Sequence, residues 1–183
     1  MGIYLNPENV DFQEVLNSKI YVDKSELIQY TNSVLRTTQK YICVSRPRRF
    51  GKSMAANMLT AYYSRGCDSR KLFQGLKIAT HPDFEKHLNQ YNVIHLNMRD
   101  YLTESENMKQ LIQFVEDDLL DELQQEFSAL RMPRRKTLVK VLEQAFVQYK
   151  IPFVFIIDEW DCIFRVHKSD AASQKEYLDF LRN

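Results

Sequence analysis

Ser45-Arg-Pro-Arg-Arg-Phe-Gly-Lys-Ser53 is the stretch on which the reading of this chain turns. It follows Tyr41-Ile-Cys-Val-Ser45, a short apolar run that predicts a buried strand. It precedes residues 52–63, which predict a helix with Met54, Met58, Leu59 and Tyr62 towards one side. A strand–loop–helix passage is the setting that a phosphate loop requires. The start of a helix presents unpaired N–H groups and a partial positive charge, both of which suit an anion. Pro47 removes a backbone donor, and Gly51 permits dihedrals closed to other residues. Lys52 supplies a point charge for terminal phosphates, and the Ser53 hydroxyl can bind Mg²⁺ beside them. The usual pattern is GxxxxGK[ST]; here Arg46 stands at the first glycine, while Gly51-Lys52-Ser53 is intact. Taken alone, the stretch also reads as a surface helix start with a solvated lysine.

A second motif decides between these. Phe153-Val-Phe-Ile-Ile-Asp-Glu159 is an apolar strand ending in two adjacent carboxylates. In open α/β sheets ligands bind at the C-terminal ends of strands. Asp158 then reads as a Mg²⁺ ligand acting through the metal's water shell, and Glu159 as the group that polarises an attacking water. The bland reading is a buried strand with an acidic turn. With both motifs in this order, each after an apolar strand, the expected fold is an α/β P-loop NTPase: a three-layer α/β/α sandwich with a mainly parallel sheet. The expected ligands are ATP and Mg²⁺. The loop Arg46, Pro47, Arg48, Arg49, Phe50, Gly51, Lys52, Ser53 and Met54 holds the nucleotide, Ser53 and Asp158 hold the metal, and Lys52 and Glu159 carry the chemistry.

The rest of the chain predicts alternating elements. Short helices are expected at 11–16, at a segment capped by Asp23 with Glu26 at the capping-box position, and from 81 to about 90. Val93 to Met98 predicts a strand. A long amphipathic helix is expected over 104–130, with Leu111, Phe114, Val115, Leu119 and Leu123 at helical spacing. Another is expected over 137–149, a third strand over 153–157 and a last helix over 171–183. Gly66 reads as the stop of the helix that follows the loop. Apolar strands alternating with amphipathic helices argue for a sheet covered on both faces.

Composition bounds the remaining possibilities. The 183 residues are 44% hydrophobic and 27% charged, with only 4 glycines and 5 prolines, which fits one folded domain and excludes low complexity. Net charge is +1, from 25 basic and 24 acidic residues, and gives nucleic acid no support. Three cysteines without a CxxC pair argue against a disulfide framework or a zinc site, and Cys43 and Cys162 read as core thiols in a reducing cytoplasm. The first residues, MGIYLNPENVDF, do not read as a signal peptide, and no apolar run reaches membrane length. The four histidines lack ligand spacing, and His95 reads as a core or edge residue. Tyr62-Tyr63 reads as core rather than as a base-stacking platform. Asp161 reads as a partner for an arginine or an aid in placing water, and Asp23 and Lys24 as a helix cap or the border of the nucleotide pocket.

"RPRRFGKS" and "FIIDEWD" resemble the bacterial AAA-ATPase-like proteins, whose loop reads RPRRFGK[ST] and whose acidic strand reads IDEYD. Tyr21-Val-Asp-Lys-Ser25 resembles their YVDK[ST] motif, and Leu72 to Ile78 their LFxGLxI segment. The resemblance covers residues from about 10 to 183 and accounts for Arg46, since this family replaces the first glycine; Trp160 departs from the usual tyrosine. It implies an ATPase whose hydrolysis drives or switches a downstream effector. A nucleotide-dependent scaffold or nucleic-acid-associated module of negligible turnover is the alternative. Members are often followed by a PD-(D/E)XK nuclease-like domain. The family sheet order, 5-1-4-3-2, places a fourth strand between the loop strand and the acidic strand. The expectation is therefore that residues 1–183 are the N-terminal part of one domain, with a helical segment over 1–38 and an incomplete nucleotide-binding core over 39–183. Truncated before that strand, the isolated chain is expected to be poorly stable and slow in hydrolysis.

Overall fold

The computed structural model describes every residue except Met1, Arg46, Arg48 and Asn183. Its helices are α1 (Val10–Leu16), α2 (Glu26–Val34), α3 (Lys52–Tyr63), α4 (Arg70–Phe73) and α5 (Phe84–His87). Strand β1 (Asn92–Asn97) comes next, then α6 (Met98–Glu104), α7 (Met108–Glu126) and α8 (Leu138–Tyr149). Strand β2 (Phe153–Asp158), α9 (Cys162–Val166) and α10 (Ala171–Arg182) complete the order.

The two strands pair in parallel, from Asn92 opposite Phe153 to Asn97 opposite Asp158. Alternation along the strands divides the interior into two cores. Ile94 and Leu96 pack with Leu111, Val115, Leu119 and Val141 on one face. Val93 packs with Phe12, Ile28, Met58, Tyr62 and Phe73 on the other. Helices therefore cover both faces of a parallel sheet, the α/β arrangement that alternating elements produce.

The first apolar run departs from expectation. Residues 41–45 form no strand; Tyr41 is 85% exposed and Cys43, expected in the core, is exposed as well. Apolar composition favours a strand only where a ladder satisfies its backbone groups. Among the described residues no strand lies beside this run, and the sheet has two strands. The other thiol, Cys162, is buried as expected.

The second edge of β1 is covered by the N-terminus. Leu5 bridges antiparallel to Ile94; the Asn6 N–H donates to the Val93 carbonyl at 2.7 Å and the His95 N–H to that of Tyr4 at 2.9 Å. Glu122 on α7 holds this strap: its carboxylate accepts from the N–H groups of Ile3 at 2.7 Å, Tyr4 at 3.0 Å and Leu5 at 2.6 Å. Gly66 serves the same strap rather than stopping α3, which ends at Tyr63. A Cβ on Gly66 would lie 2.3 Å from the Asn6 carbonyl oxygen.

Local capping explains two further corrections. The long helix expected over 104–130 is present as α7 but starts only at Met108, because Asn107 accepts from the Gln110 N–H at 3.0 Å; Glu104 instead ends α6. Ser25, not Asp23, is the N-cap residue of α2. Asp23 instead accepts from the N–H groups of Ser25 at 2.8 Å and Lys77 at 2.9 Å, tying α2 to the segment after α4.

Tyr62 and Tyr63 are core residues with satisfied hydroxyls. Tyr63 donates to Asn32 Oδ1 at 2.7 Å, Asn32 donates to the Tyr62 hydroxyl at 3.1 Å, and Tyr62 donates to the Phe84 carbonyl at 2.7 Å. This chain of bonds fixes α2 and α5 against α3, the helix that follows the loop ending at Gly51. Among the described residues no helix is long and apolar enough to cross a membrane.

Two histidines make stability depend on pH. Burial holds both His87 and His95 below the ordinary imidazole range; Lys86 adds to this at His87, while the Asp158 carboxylate partly opposes it at His95. Each is neutral in the folded chain at a pH where the unfolded chain takes up a proton. Their contribution is present above about pH 6.5 and is lost as pH falls from there towards the folded values. Urea unfolding should give a lower midpoint at pH 5.5 than at pH 7.5. A His87→Gln/His95→Gln variant should flatten that slope, and an unchanged slope in the variant would contradict the assignment.

Candidate functional site

Two turns at the same end of the sheet build the site. The first precedes α3. Arg49 and Gly51 both adopt left-handed backbone, with φ of 68° and 72°. Glycine suits position 51 by its φ; a Cβ there would also stand 2.8 Å from Lys24 Nζ, the mobile end of a long side chain that would have to move aside. That ammonium donates to the Phe50 carbonyl at 2.5 Å, so Lys24 braces the loop from outside. Lys52 and Ser53 open α3, whose N-cap residue, Gly51, has no side chain to cap the first turn. A helix of 12 residues thus presents its positive end in the cleft.

The second turn follows β2. Asp158, the last strand residue, accepts from the Glu159 N–H at 2.9 Å. Glu159 takes a left-handed conformation, φ 51°, uncommon for a residue with a side chain, and the chain turns sharply into α9. The Glu159 carbonyl accepts from the Cys162 N–H at 2.9 Å, and Tyr177 on α10 donates to the Trp160 carbonyl at 3.0 Å. Buried Tyr177 and Ile163 hold the turn in place from beneath.

The two turns line one cleft of about 850 Å³. That volume lies within the range of small-molecule sites. Gly51, Lys52, Ser53 and Met54 share it with Glu159 and Arg165, and Pro47 and Arg49 contribute from the loop. Phe50 and Asp158 are not among its lining residues; Phe50 is 61% exposed, and Asp158 closes the strand behind Glu159. Arg46 and Arg48 lie outside the described residues.

Arg165 is the site residue that the motifs did not bring out. Its Nη1 donates to both Asp161 oxygens, at 3.1 and 2.9 Å, and its Nη2 pairs with Glu159 Oε2. The hydrogen bond it donates to Glu159 and the charges of both carboxylates hold Arg165 above the usual guanidinium range. Asp161 thus has the arginine partner expected of it. The signal available in sequence was the four-residue spacing from Asp161 to Arg165, which places both on one side of a helical turn. Burial pushes the Cys162 thiol up to about 11, which favours its protonated form near neutral pH.

A family model described as AAA-ATPase_like, Predicted AAA-ATPase, matches residues 10–183. No curated protein and no solved structure matches the chain.

Proposed function

The chain belongs to the Predicted AAA-ATPase family, and from that membership we propose that its cleft binds ATP with Mg²⁺ and hydrolyses the terminal phosphate. One observation carries the reading: Gly51, Lys52 and Ser53 line the same cleft as Glu159, although about a hundred residues separate them in sequence.

The proposed division of labour follows from the chemistry of each group. The first turn of α3 and the Lys52 ammonium bind the β- and γ-phosphate oxygens and stabilise the charge that builds on them. Glu159 orients a water and accepts its proton as the water oxygen attacks the γ-phosphorus. The bond from that phosphorus to the bridging oxygen breaks, and ADP leaves with the electron pair. Among the described residues no group of three or more His, Cys, Asp or Glu is arranged to hold a metal alone. Mg²⁺ carried in on a nucleotide needs no such group, since phosphates and water fill most of its shell. Ser53 and Asp158 offer the hard oxygen donors suited to it, one hydroxyl and one carboxylate. Mg²⁺ held by these two groups would supply neutralisation of phosphate charge. The energy released would switch a downstream effector, for which a nuclease-like domain is the candidate that the family resemblance suggests.

Titration of turnover with Mg²⁺ tests the metal assignment. Asp158→Asn should raise the Mg²⁺ concentration for half-maximal phosphate release by about tenfold or more, the effect of losing one charge-assisted contact. An unchanged Mg²⁺ dependence would remove Asp158 from the metal's shell.

A further inference from the structure

We infer that Arg165 is a nucleotide-sensing arginine: it holds Glu159 while the cleft lacks ATP and moves to the terminal phosphate when ATP enters. The inference rests on the ATP-binding reading above. Arg165 has one anchored arm and one arm on the proposed base. Nη1 is held by both oxygens of Asp161, at 3.1 and 2.9 Å, and Nη2 by Glu159 Oε2. Asp161 lies four residues earlier, across one turn, so it can keep its grip while the other arm changes partner. The guanidinium side chain retains 30% exposure and lines the same cleft as Lys52 and Ser53.

Charge decides which partner wins. Glu159 offers one negative charge. The terminal phosphate of ATP offers close to two, on oxygens that match the guanidinium fork. ADP has no γ-phosphate and does not compete in the same place. A Glu159 oxygen engaged by Arg165 is unavailable to a water's proton, and transfer of Arg165 to the phosphate releases it. Base and substrate thus become ready together, and after phosphate release the arginine returns to Glu159. Arg165 is in this account a positioning residue for Glu159 and a direct contact to ATP. An ion pair that only stabilised the α9 turn would respond to neither nucleotide.

The test is a cycle of binding measurements. Calorimetry with Mg²⁺ compares ADP with an ATP analogue bridged by a β,γ-imido group, which is not hydrolysed. The proteins are wild type, Arg165→Ala, Glu159→Gln and the double variant, with Arg165→Lys as a milder change that keeps the charge but loses the fork. Arg165→Ala should weaken the analogue by about tenfold or more and leave ADP within about twofold. Retained ADP binding also reports that the variant is folded. Glu159→Gln, which removes the competing charge, should tighten the analogue several-fold, roughly 1 kcal/mol at most, in the Arg165 background and not in Arg165→Ala. Arg165→Lys should fall between wild type and Ala. An analogue-to-ADP ratio unchanged in Arg165→Ala, or an equal effect of Glu159→Gln in both backgrounds, overturns the inference and leaves ATP binding standing. Wild type that binds neither nucleotide overturns both.

Discussion

Glu159→Gln is expected to cut phosphate release by about 10²–10⁴-fold, the usual contribution of a positioned general base, while ATP stays bound. The amide keeps the size and shape of the carboxylate but cannot accept a proton from water. The turn that presents residue 159 does not depend on its charge: φ is 51°, and the backbone is held by Asp158 below and by the Cys162 N–H above. Removing the charge also frees Arg165 from one of its two carboxylates, which favours the nucleotide-bound state. Single-turnover phosphate release, run beside a binding titration, separates the two effects. Phosphate release at the wild-type rate would pass the role to another group, with Asp161 next in line because it borders the same turn.

Lys52→Ala is expected to weaken ATP by roughly 2 kcal/mol or more, about thirtyfold, because a charge-assisted contact to phosphate is lost in a partly enclosed cleft. The fold should survive. Lys52 opens α3 at a half-buried position, and the core of that helix lies further along, at Met58, Ala61, Tyr62 and Tyr63. Urea midpoints within error of wild type, together with the weaker titration, would assign the loss to the phosphate contact. Equal ATP affinity in the two proteins would remove the lysine from the site.

The parts of the fold that chain periodicity determines were readable in advance. β2 announces itself because five apolar residues run without interruption into Asp158 and Glu159. The helices at 52–63 and 138–149 follow from apolar residues at helical spacing, and the family from four short motifs in order. Other features depend on partners distant in sequence. Tyr41-Ile-Cys-Val-Ser45 has strand composition, but a strand exists only in a ladder, and none forms beside it among the described residues. The strap at Ile3 to Leu5 is held by Glu122, more than a hundred residues away, and nothing in its own composition marks it. Asn107 sets the start of α7 with a single side-chain bond, four residues later than periodicity alone places it. Within the site, Lys52, Ser53 and Glu159 were nominated by motif. Arg165 was not, since its meaning comes from meeting Glu159 and Asp161 at once.

The most direct test of the nucleotide site is the hydrogen-exchange footprint of ATP with Mg²⁺ on the whole protein. In the proposed function, the loop before α3 and the turn after β2 form one nucleotide site. Slowed exchange is expected in two separate stretches together, residues 49–55 and 159–166, with residues 84–91 at the far end of the sheet unchanged. Lys52→Ala should reduce both changes at a given ATP concentration. Protection confined to one stretch, or centred elsewhere in the chain, would contradict the claim.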